Sequence, residues 1–297
     1  MFDFIRRMFR KPPQQETVTT APLTDEQLKS ITGAPSVRYD LQQLVAACGQ
    51  SIGKQRDLNE DSLLAFTSTL AGNGNNAPFG LYIVADGMGG HQSGEVASNI
   101  AIRTVSGSVL RKFHPYLFNL KSEPLDESLQ EIVQAAMAEA HRIIQREAPG
   151  SGTTLTAALI LGQQMTIAHM GDSRAYMCYP DGRMELITRD HSLVKRLEEL
   201  GHLSAVEAEN YPHRNVLYRA LGQGEIFEPD IFTIPFPKGG SLMLCSDGLW
   251  GVVSEAELSR IIRDTPSLPR ACQKLVEAAN AAGGPDNISV ALVQLMG

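Results

Sequence analysis

The chain has 297 residues, of which 43% are hydrophobic, enough apolar material for one large core or two modest ones. Its 33 acidic and 26 basic residues give a net charge of -7, and the body of the chain contains no basic stripe with interleaved aromatic residues. This composition disfavours nucleic-acid binding and predicts one catalytic domain preceded by a tail.

The start of the chain leaves two interpretations open. Phe2, Ile5 and Phe9 fall near one face of a helix with arginines nearby, a pattern that suits a weak contact with a membrane or a partner; a solvated terminus is the alternative. The sequence then turns polar and rich in Pro, Thr and Gln. We predict a tail and linker over 1–35 and a catalytic domain over 36–297.

Several absences predict a cytoplasmic protein. No apolar stretch approaches the roughly 20 residues that cross a bilayer, and the start of the chain lacks the apolar core and cleavage site of a secretion signal. The four cysteines show neither zinc-site nor redox-motif spacing. We interpret them as small hydrophobic residues, buried in a reducing compartment.

Short β-like runs dominate the body of the chain. They lie near 44–48, 62–66, 81–85, 154–161, 165–170, 174–179, 184–188, 241–245 and 288–295. Because few helices separate them, these strands favour antiparallel sheets over a doubly wound fold.

Helical spacing marks the segments that we expect to cover the sheets. From Asp126 onward, apolar residues three or four positions apart form one stripe over about five turns. Further helices are predicted over 93–111 and 267–282 and from Ser254 onward. The segment of about 190–222 holds two short helical pieces, the second opened by a capping-box run at 204–207. It is too polar for the core, so we expect a surface flap.

Two predicted strands end on an Asp-Gly pair, Asp86-Gly87 and Asp247-Gly248. A carboxylate at the mouth of a buried strand, beside a flexible glycine, suits a hard divalent cation. Asp-Gly is also a common hairpin turn, and Asp181-Gly182, between two short strands, is interpreted as one. The first two pairs are not followed at once by a matching strand, so they indicate a metal-dependent hydrolase.

Two further acidic sites, Glu60-Asp61 and Asp286, also lie at strand ends, in turns that contain Gly or Asn. Clustered like charges raise each other's pKa values, so four such sites are best explained if they converge on a cation. Oxygen ligands, with few candidate histidines or cysteines, select Mg²⁺ or Mn²⁺ over Zn²⁺. For Asp286, a helix stop followed by a turn is the alternative.

Six motifs between about Leu44 and Leu295 resemble, in the right order, those of the metal-dependent serine/threonine protein phosphatases, the PPM or type 2C family. They are Arg56-Asp57-Leu58-Asn59-Glu60-Asp61, Asp86-Gly87-Met88-Gly89-Gly90-His91, Ser151-Gly152-Thr153-Thr154, Gly171-Asp172-Ser173-Arg174, Ser246-Asp247-Gly248-Leu249 and Gly284-Pro285-Asp286-Asn287. Met88 and the flap resemble the bacterial branch, whose members usually oppose a serine/threonine kinase. The resemblance implies an α+β fold: a four-layer α-β-β-α sandwich of two antiparallel sheets flanked by helix pairs.

The resemblance also implies a centre of two Mn²⁺ or Mg²⁺ ions. Asp86 would bridge the ions, and the carbonyl oxygen of Gly87 would bind one of them. Asp247 and Asp286 would hold the second ion, and Glu60 would serve the pair directly or through water.

Two further roles follow from the same resemblance. Asp61 would orient metal-bound water, and Arg56 would grip the substrate phosphate, for which a planar, always charged fork is well suited. A surface ion pair is the alternative for Arg56. The implied reaction is hydrolysis of phosphoserine or phosphothreonine on proteins by a hydroxide bridging the two ions. The chain contains no nucleophile elbow, in agreement with a reaction that needs no covalent intermediate.

Three positions depart from the family pattern. Relatives outside the bacteria often carry a histidine at Met88, and the family tends to hold a third cation with aspartates where this chain has Pro149 and Gly251. We therefore predict a two-metal centre with a poor or missing third site. A phosphoprotein-binding pseudophosphatase, weakly active or inactive, and a switch phosphatase of an anti-sigma-factor antagonist are the alternatives. We expect a monomer with phosphorylated proteins as partners.

Overall fold

The computed structural model describes residues 42–69, 77–89, 93–118, 126–204, 207–208, 211–212, 215–225 and 227–297. The predicted tail and linker over 1–35, with the candidate membrane or partner contact of residues 1–11, lies outside the described residues.

Two antiparallel sheets contain the strands of the described residues. The strands are β1 (Gln43–Ser51), β2 (Asp61–Ser68), β3 (Phe79–Met88), β4 (Gly152–Thr153), β5 (Leu155–Leu161), β6 (Gln164–Met170), β7 (Arg174–Cys178), β8 (Met184–Leu186), β9 (Asp230–Pro235), β10 (Ser241–Cys245) and β11 (Ile288–Met296). One sheet has the order β1-β11-β10-β7-β8 and the other β2-β3-β5-β6-β9, with β4 paired to β3. Every pairing is antiparallel, as predicted.

Helices cover both sheets. In the described residues they are α1 (Ser93–Leu117), α2 (Leu129–Glu147), α3 (Leu193–Glu199), α4 (Asp247–Trp250), α5 (Glu255–Arg263) and α6 (Leu268–Ala281). Ser128 opens α2 with a capping box, since its side chain accepts from the N–H of Glu131 and the Glu131 carboxylate accepts from the N–H of Ser128. Helix α1 runs six residues past its predicted end, because Phe113 continues its buried face against Phe79.

Three separate apolar cores define four layers. Successive residues of β3 point to opposite faces, so Leu81 and Ile83 pack under α1 and α2 while Tyr82 and Val84 pack between the two sheets. The third core lies between the other sheet and helices α5 and α6. A strand buried on both faces reads as a continuous apolar run, which is how β3 appears in the sequence. The predicted α-β-β-α sandwich is confirmed.

The Asp181-Gly182 pair forms the expected hairpin turn between β7 and β8. The N–H of Gly182 donates to Tyr179 O at 3.0 Å, and Gly182 adopts a φ of 87° that favours glycine. This pair is therefore a reference for the other two Asp-Gly pairs, which have different surroundings.

The prediction that all four thiols are buried is confirmed for Cys178, Cys245 and Cys272 and wrong for Cys48, which is exposed. Burial raises the pKa of each of the three buried thiols, so they remain protonated at neutral pH. None of the helices in the part of the chain that the structure describes is both long and apolar enough to cross a bilayer.

Candidate active site

The strand pairing brings the predicted acidic residues together at the ends of neighbouring strands in each sheet. Asp61, the first residue of β2, lies opposite Asp86, near the end of β3. In the other sheet Asp247 follows the end of β10, and Asp286 precedes the start of β11, its antiparallel neighbour. Antiparallel neighbours place the start of one strand beside the end of the next. The carboxylates of each sheet therefore lie together at one end of its strands.

The strand ends of both sheets border one cleft of about 220 Å³, which we call the acidic cleft. Six of the seven predicted site residues line it: Arg56, Glu60, Asp86, Gly87, Asp247 and Asp286. The seventh, Asp61, is buried beside Asp86 with only 6% of its surface exposed. The convergence expected from the sequence is thus present in the fold.

Two threonines fix the backbone of Asp86. The hydroxyl of Thr154 accepts from the N–H of Asp86 at 2.9 Å, and the N–H of Thr154 donates to Asp86 O at 2.8 Å. The Thr153 hydroxyl also donates to Asp86 O, at 2.9 Å. The Gly-Thr-Thr motif therefore acts as a scaffold for this carboxylate.

Only glycine fits at position 87, because the backbone there lies close to the backbone of Glu60 and Gly94. Its N–H donates to Glu60 O at 3.1 Å, and a Cβ atom at this position would lie 2.2 Å from Gly94 O. Any larger residue would force the start of α1 away from β3. The Glu60 carboxylate accepts from the backbone of Gly94, so it lies at the same junction.

Two buried carboxylate oxygens have no hydrogen-bond partner among the described residues: Asp61 Oδ1 and Asp247 Oδ1. The second oxygen of Asp61 accepts from Ser246 Oγ at 2.7 Å, and this hydroxyl in turn accepts from the N–H of Ser289 at 2.9 Å. A buried polar atom without a partner is costly and calls for an explanation such as a bound ion. An all-oxygen donor set with free acceptor capacity fits a hard divalent cation.

The electrostatics of the cluster lead to the same conclusion. Burial raises the pKa of Asp61 to about 7 and that of Asp247 to about 6, and Asp286 adds to both increases. Burial, followed by the charges of Asp61 and Asp247, raises the pKa of Asp86 well above its ordinary value. Ionised together, these carboxylates repel one another strongly, so a cation would lower the energy of the cluster.

The described residues do not contain three Asp, Glu, His or Cys side chains arranged closely enough to form a complete ligand cage. Mg²⁺ usually retains several water ligands and is bound through one or two carboxylates rather than by a dedicated protein cage. A divalent ion bound in the acidic cleft would therefore need water ligands in addition to protein oxygens.

Arg56 lies at the rim of the cleft and is 48% exposed. Its Nη2 donates to Asp286 Oδ2 at 2.7 Å, so the ion pair considered as an alternative for this residue is present. Its partner is a carboxylate of the acidic cleft. The guanidinium has five N–H donors, and this bond leaves others free for an anion.

Asn287 has a structural role that sequence reasoning missed. Its side chain is buried; Oδ1 accepts from the N–H of Glu60 at 2.8 Å, while Nδ2 donates to Ile52 O at 2.8 Å and to Leu58 O at 2.9 Å. These bonds hold the loop that carries Arg56 and Glu60 against the start of β11. The sequence places Asn287 at the end of the motif Gly284-Pro285-Asp286-Asn287, directly before a predicted strand, but does not indicate these bonds.

Asp172 also lines the cleft and is 8% exposed. Arg174, two residues further along the chain, pairs with the carboxylate of Asp190 at 3.0 and 2.8 Å. Asp172 lies between β6 and β7, so the rule that identified Asp86 and Asp247, a carboxylate at a strand mouth, would also have found it.

The predicted flap forms part of the cleft wall. Ser192 caps α3, and Ser204 and Glu207 form the expected capping box. An isolated bridge pairs Ser192 with Leu217, and both Asn215 and Leu217 line the cleft. The flap is therefore placed where it can contact whatever enters the site.

Comparison with known proteins agrees with this architecture. The family model described as "Protein phosphatase 2C" matches residues 47–288. The serine/threonine phosphatase stp of Listeria innocua is 40% identical over 216 residues, covering 72% of this chain and 84% of the relative. A serine/threonine phosphatase structure from S. agalactiae has a TM-score of 0.71 and 31% identity, covering 84% of this chain and 98% of that one.

A second solved structure, the catalytic domain of the phosphatase PstP in complex with two manganese ions, has a TM-score of 0.67 and 31% identity, covering 86% of this chain and all of that one. The fold and the site define a phosphatase of the PPM type. The chain belongs to the protein phosphatase 2C family. It is accordingly a protein serine/threonine phosphatase.

Proposed function

We propose that this chain hydrolyses phosphoserine and phosphothreonine on proteins at the acidic cleft, with two divalent cations, Mn²⁺ or Mg²⁺. The observation that carries this proposal is the convergence of Glu60, Asp86, Asp247 and Asp286 on one cleft, next to buried carboxylate oxygens without partners. The two manganese ions of the similar PstP structure support the same number of ions here.

The residues proposed to hold the ions are those that the family resemblance implies, and their places in the cleft support the assignment. Burial and the carboxylates of both sheets raise the pKa of Asp86, so Asp86 is the candidate to contact both ions, with the carbonyl oxygen of Gly87 on one of them. Asp247 and Asp286 would hold the second ion, and Glu60 would contribute from the α1 side. Bound ions would acidify a water molecule and balance the charge of the phosphoryl group.

Asp61 and Arg56 would act on the reactants. Ser246 fixes one oxygen of Asp61, which leaves Oδ1 to accept a hydrogen bond from the attacking water. Arg56, at the open rim, would bind two phosphate oxygens with its planar fork.

The proposal implies phosphorylated proteins as partners and a serine/threonine kinase as the opposing enzyme. We place the protein in the cytoplasm, as its free buried cysteines suggest. Met88 lines the cleft and has no proton to donate, so the chain supplies no acid to the leaving oxygen from this position.

A phosphatase assay tests this function directly. We expect Mn²⁺-dependent release of phosphate from an aryl phosphate and from phosphoserine and phosphothreonine peptides, and loss of release after addition of EDTA. If the protein binds Mn²⁺ but releases no phosphate, it is a binding module. Activity on the aryl phosphate without activity on generic phosphopeptides would instead indicate a dedicated switch phosphatase.

Substitution of Arg56 tests the phosphate-binding role. Arg56→Lys keeps the charge beside Asp286 but removes the fork. We expect kcat/KM for a phosphopeptide to fall about 10- to 100-fold, mainly through KM, since hydrogen bonds to charged groups contribute roughly 1.5–3 kcal/mol. Arg183→Lys, an exposed arginine paired with Asp181 outside the cleft, is the matched control and should leave kinetics unchanged. Equal kinetics for both variants would contradict the role.

A further inference from the structure

Trp250, the single tryptophan of the chain, connects two of the turns at strand ends that form the acidic cleft. It is the last residue of α4, the four-residue helix that begins with Asp247. Its indole Nε1–H donates to the backbone oxygen of Asp172 at 3.0 Å. One side chain thus joins the turn that carries Asp172 to the helix that carries Asp247.

Arg174 holds the indole ring from one face. Its Cζ lies 3.5 Å from the centroid of the Trp250 ring, a close cation–π contact. The guanidinium is fixed by two hydrogen bonds to Asp190 and by one to the hydroxyl of Tyr176 at 3.0 Å. The charge of Arg174 is paired with Asp190, and three of its nitrogens already donate hydrogen bonds. Arg174 is therefore a rigid support for the indole ring rather than a residue that binds substrate in the cleft.

The position of α4 depends on such contacts. A single helical turn is not stable by itself, so its placement comes from tertiary packing. Leu249 is fully buried and anchors α4 to the core, whereas Trp250 anchors it toward β6 and β7. Loss of the indole N–H should therefore loosen the link to Asp172 while Leu249 keeps the helix folded.

We propose that Trp250 is a positioning residue that fixes the spacing between Asp172 and Asp247 and thereby sets the affinity of the acidic cleft for its cations. This inference rests on the proposed two-cation function. Residues that orient metal ligands from outside the ligand set commonly change metal affinity by 10- to 100-fold when substituted.

Trp250→Phe is the test variant, because it keeps an aromatic ring over Arg174 and removes the indole N–H together with the five-membered ring that carries it. Tyr179→Phe is the matched control: Tyr179 also lies under an arginine, Arg183, at 4.0 Å, and its hydroxyl donates to Glu185, but the pair is exposed and outside the cleft. We expect calorimetric titration with Mn²⁺ to give about 10-fold weaker binding for Trp250→Phe and unchanged binding for Tyr179→Phe.

Wild-type affinity for Mn²⁺ in a folded Trp250→Phe variant would overturn the inference and leave the proposed function intact. Failure of the wild-type protein to bind Mn²⁺ would overturn both, so the two failures are distinguishable.

Fluorescence of the wild-type protein provides a second measurement that does not depend on the stability of a variant. Mg²⁺ is diamagnetic, so a change in Trp250 emission would report the surroundings of the ring rather than quenching by the ion. We expect a saturable change whose midpoint equals the Kd for Mg²⁺ measured by calorimetry on the same protein, and which disappears in Asp247→Asn. Emission that stays constant while Mg²⁺ binds would overturn the inference.

Discussion

Asp86→Asn is expected to lower phosphatase activity by more than about 100-fold, because even residues outside the ligand set of a metal typically change affinity or activity by 10- to 100-fold. Asp86 lines the acidic cleft, and its backbone is fixed by Thr153 and Thr154. Asn keeps the shape of the side chain but removes the negative charge that would hold a cation.

The same variant is expected to be more stable than the wild-type protein when both are free of metal. Burial and neighbouring carboxylates raise the pKa of Asp86, so its ionised form destabilises the fold at neutral pH. A neutral side chain removes that repulsion, an example of an active site that lowers stability for the sake of function. Activity should be followed by Mn²⁺-dependent phosphate release, and stability by thermal unfolding in EDTA.

The chain provides its own control in Asp181→Asn. Asp181 also precedes a glycine, but it belongs to an exposed hairpin turn in which its Oδ1 accepts from the N–H of Arg183 at 2.9 Å. We expect this variant to keep wild-type activity. An Asp86→Asn enzyme as active as Asp181→Asn, or one destabilised in EDTA, would contradict the role given to the acidic cleft.

Stabilisation by Mn²⁺ is expected to depend strongly on pH. The pKa values of about 7 for Asp61 and about 6 for Asp247 lie above the ordinary value of 3.8. Groups with a raised pKa stabilise the fold while they are protonated, and this contribution is lost as pH rises through the folded-state pKa. Metal-free protein therefore loses these contributions between about pH 4 and pH 7, the range in which the carboxylates become able to bind cations.

At pH 7.5, Mn²⁺ at a hundred times its Kd should add about 2.7 kcal/mol of stability, which for a domain of this size is a rise in Tm of about 5–10 °C. At pH 5 the rise should be much smaller, because protons compete for the same oxygens. The difference in Tm with and without Mn²⁺, measured at each pH, cancels the titration of carboxylates elsewhere. An equal rise in Tm at both pH values would show that Mn²⁺ binds outside the acidic cleft.

Sequence reasoning predicted most of the fold because burial leaves a clear pattern. Strands such as β3 and β10 are buried on both faces and appear as apolar runs. The unpredicted strand β9 is an edge strand that pairs with β6 alone, and most of its residues are only partly buried. Its apolar pattern is therefore weak, and its ends are an Asp and a Pro, residues that are depleted in strands.

The site could be predicted in part for a similar reason. Carboxylates at strand mouths are visible in the sequence, and antiparallel pairing brings them together. The support of the site was not visible, because it depends on contacts between distant residues: the side chain of Asn287 bonds to the loop of Glu60, 227 residues away, and Trp250 bonds to a backbone oxygen at Asp172. Spacing and composition carry no information about such bonds.

The most direct test of whether the converging carboxylates bind two cations is anomalous diffraction from a crystal of the protein soaked in saturating Mn²⁺. We expect two anomalous peaks in the acidic cleft, both within coordination distance of Asp86, with Asp247 and Asp286 near one of them. A cleft without Mn²⁺ peaks, or peaks only at sites away from Asp86, would contradict it.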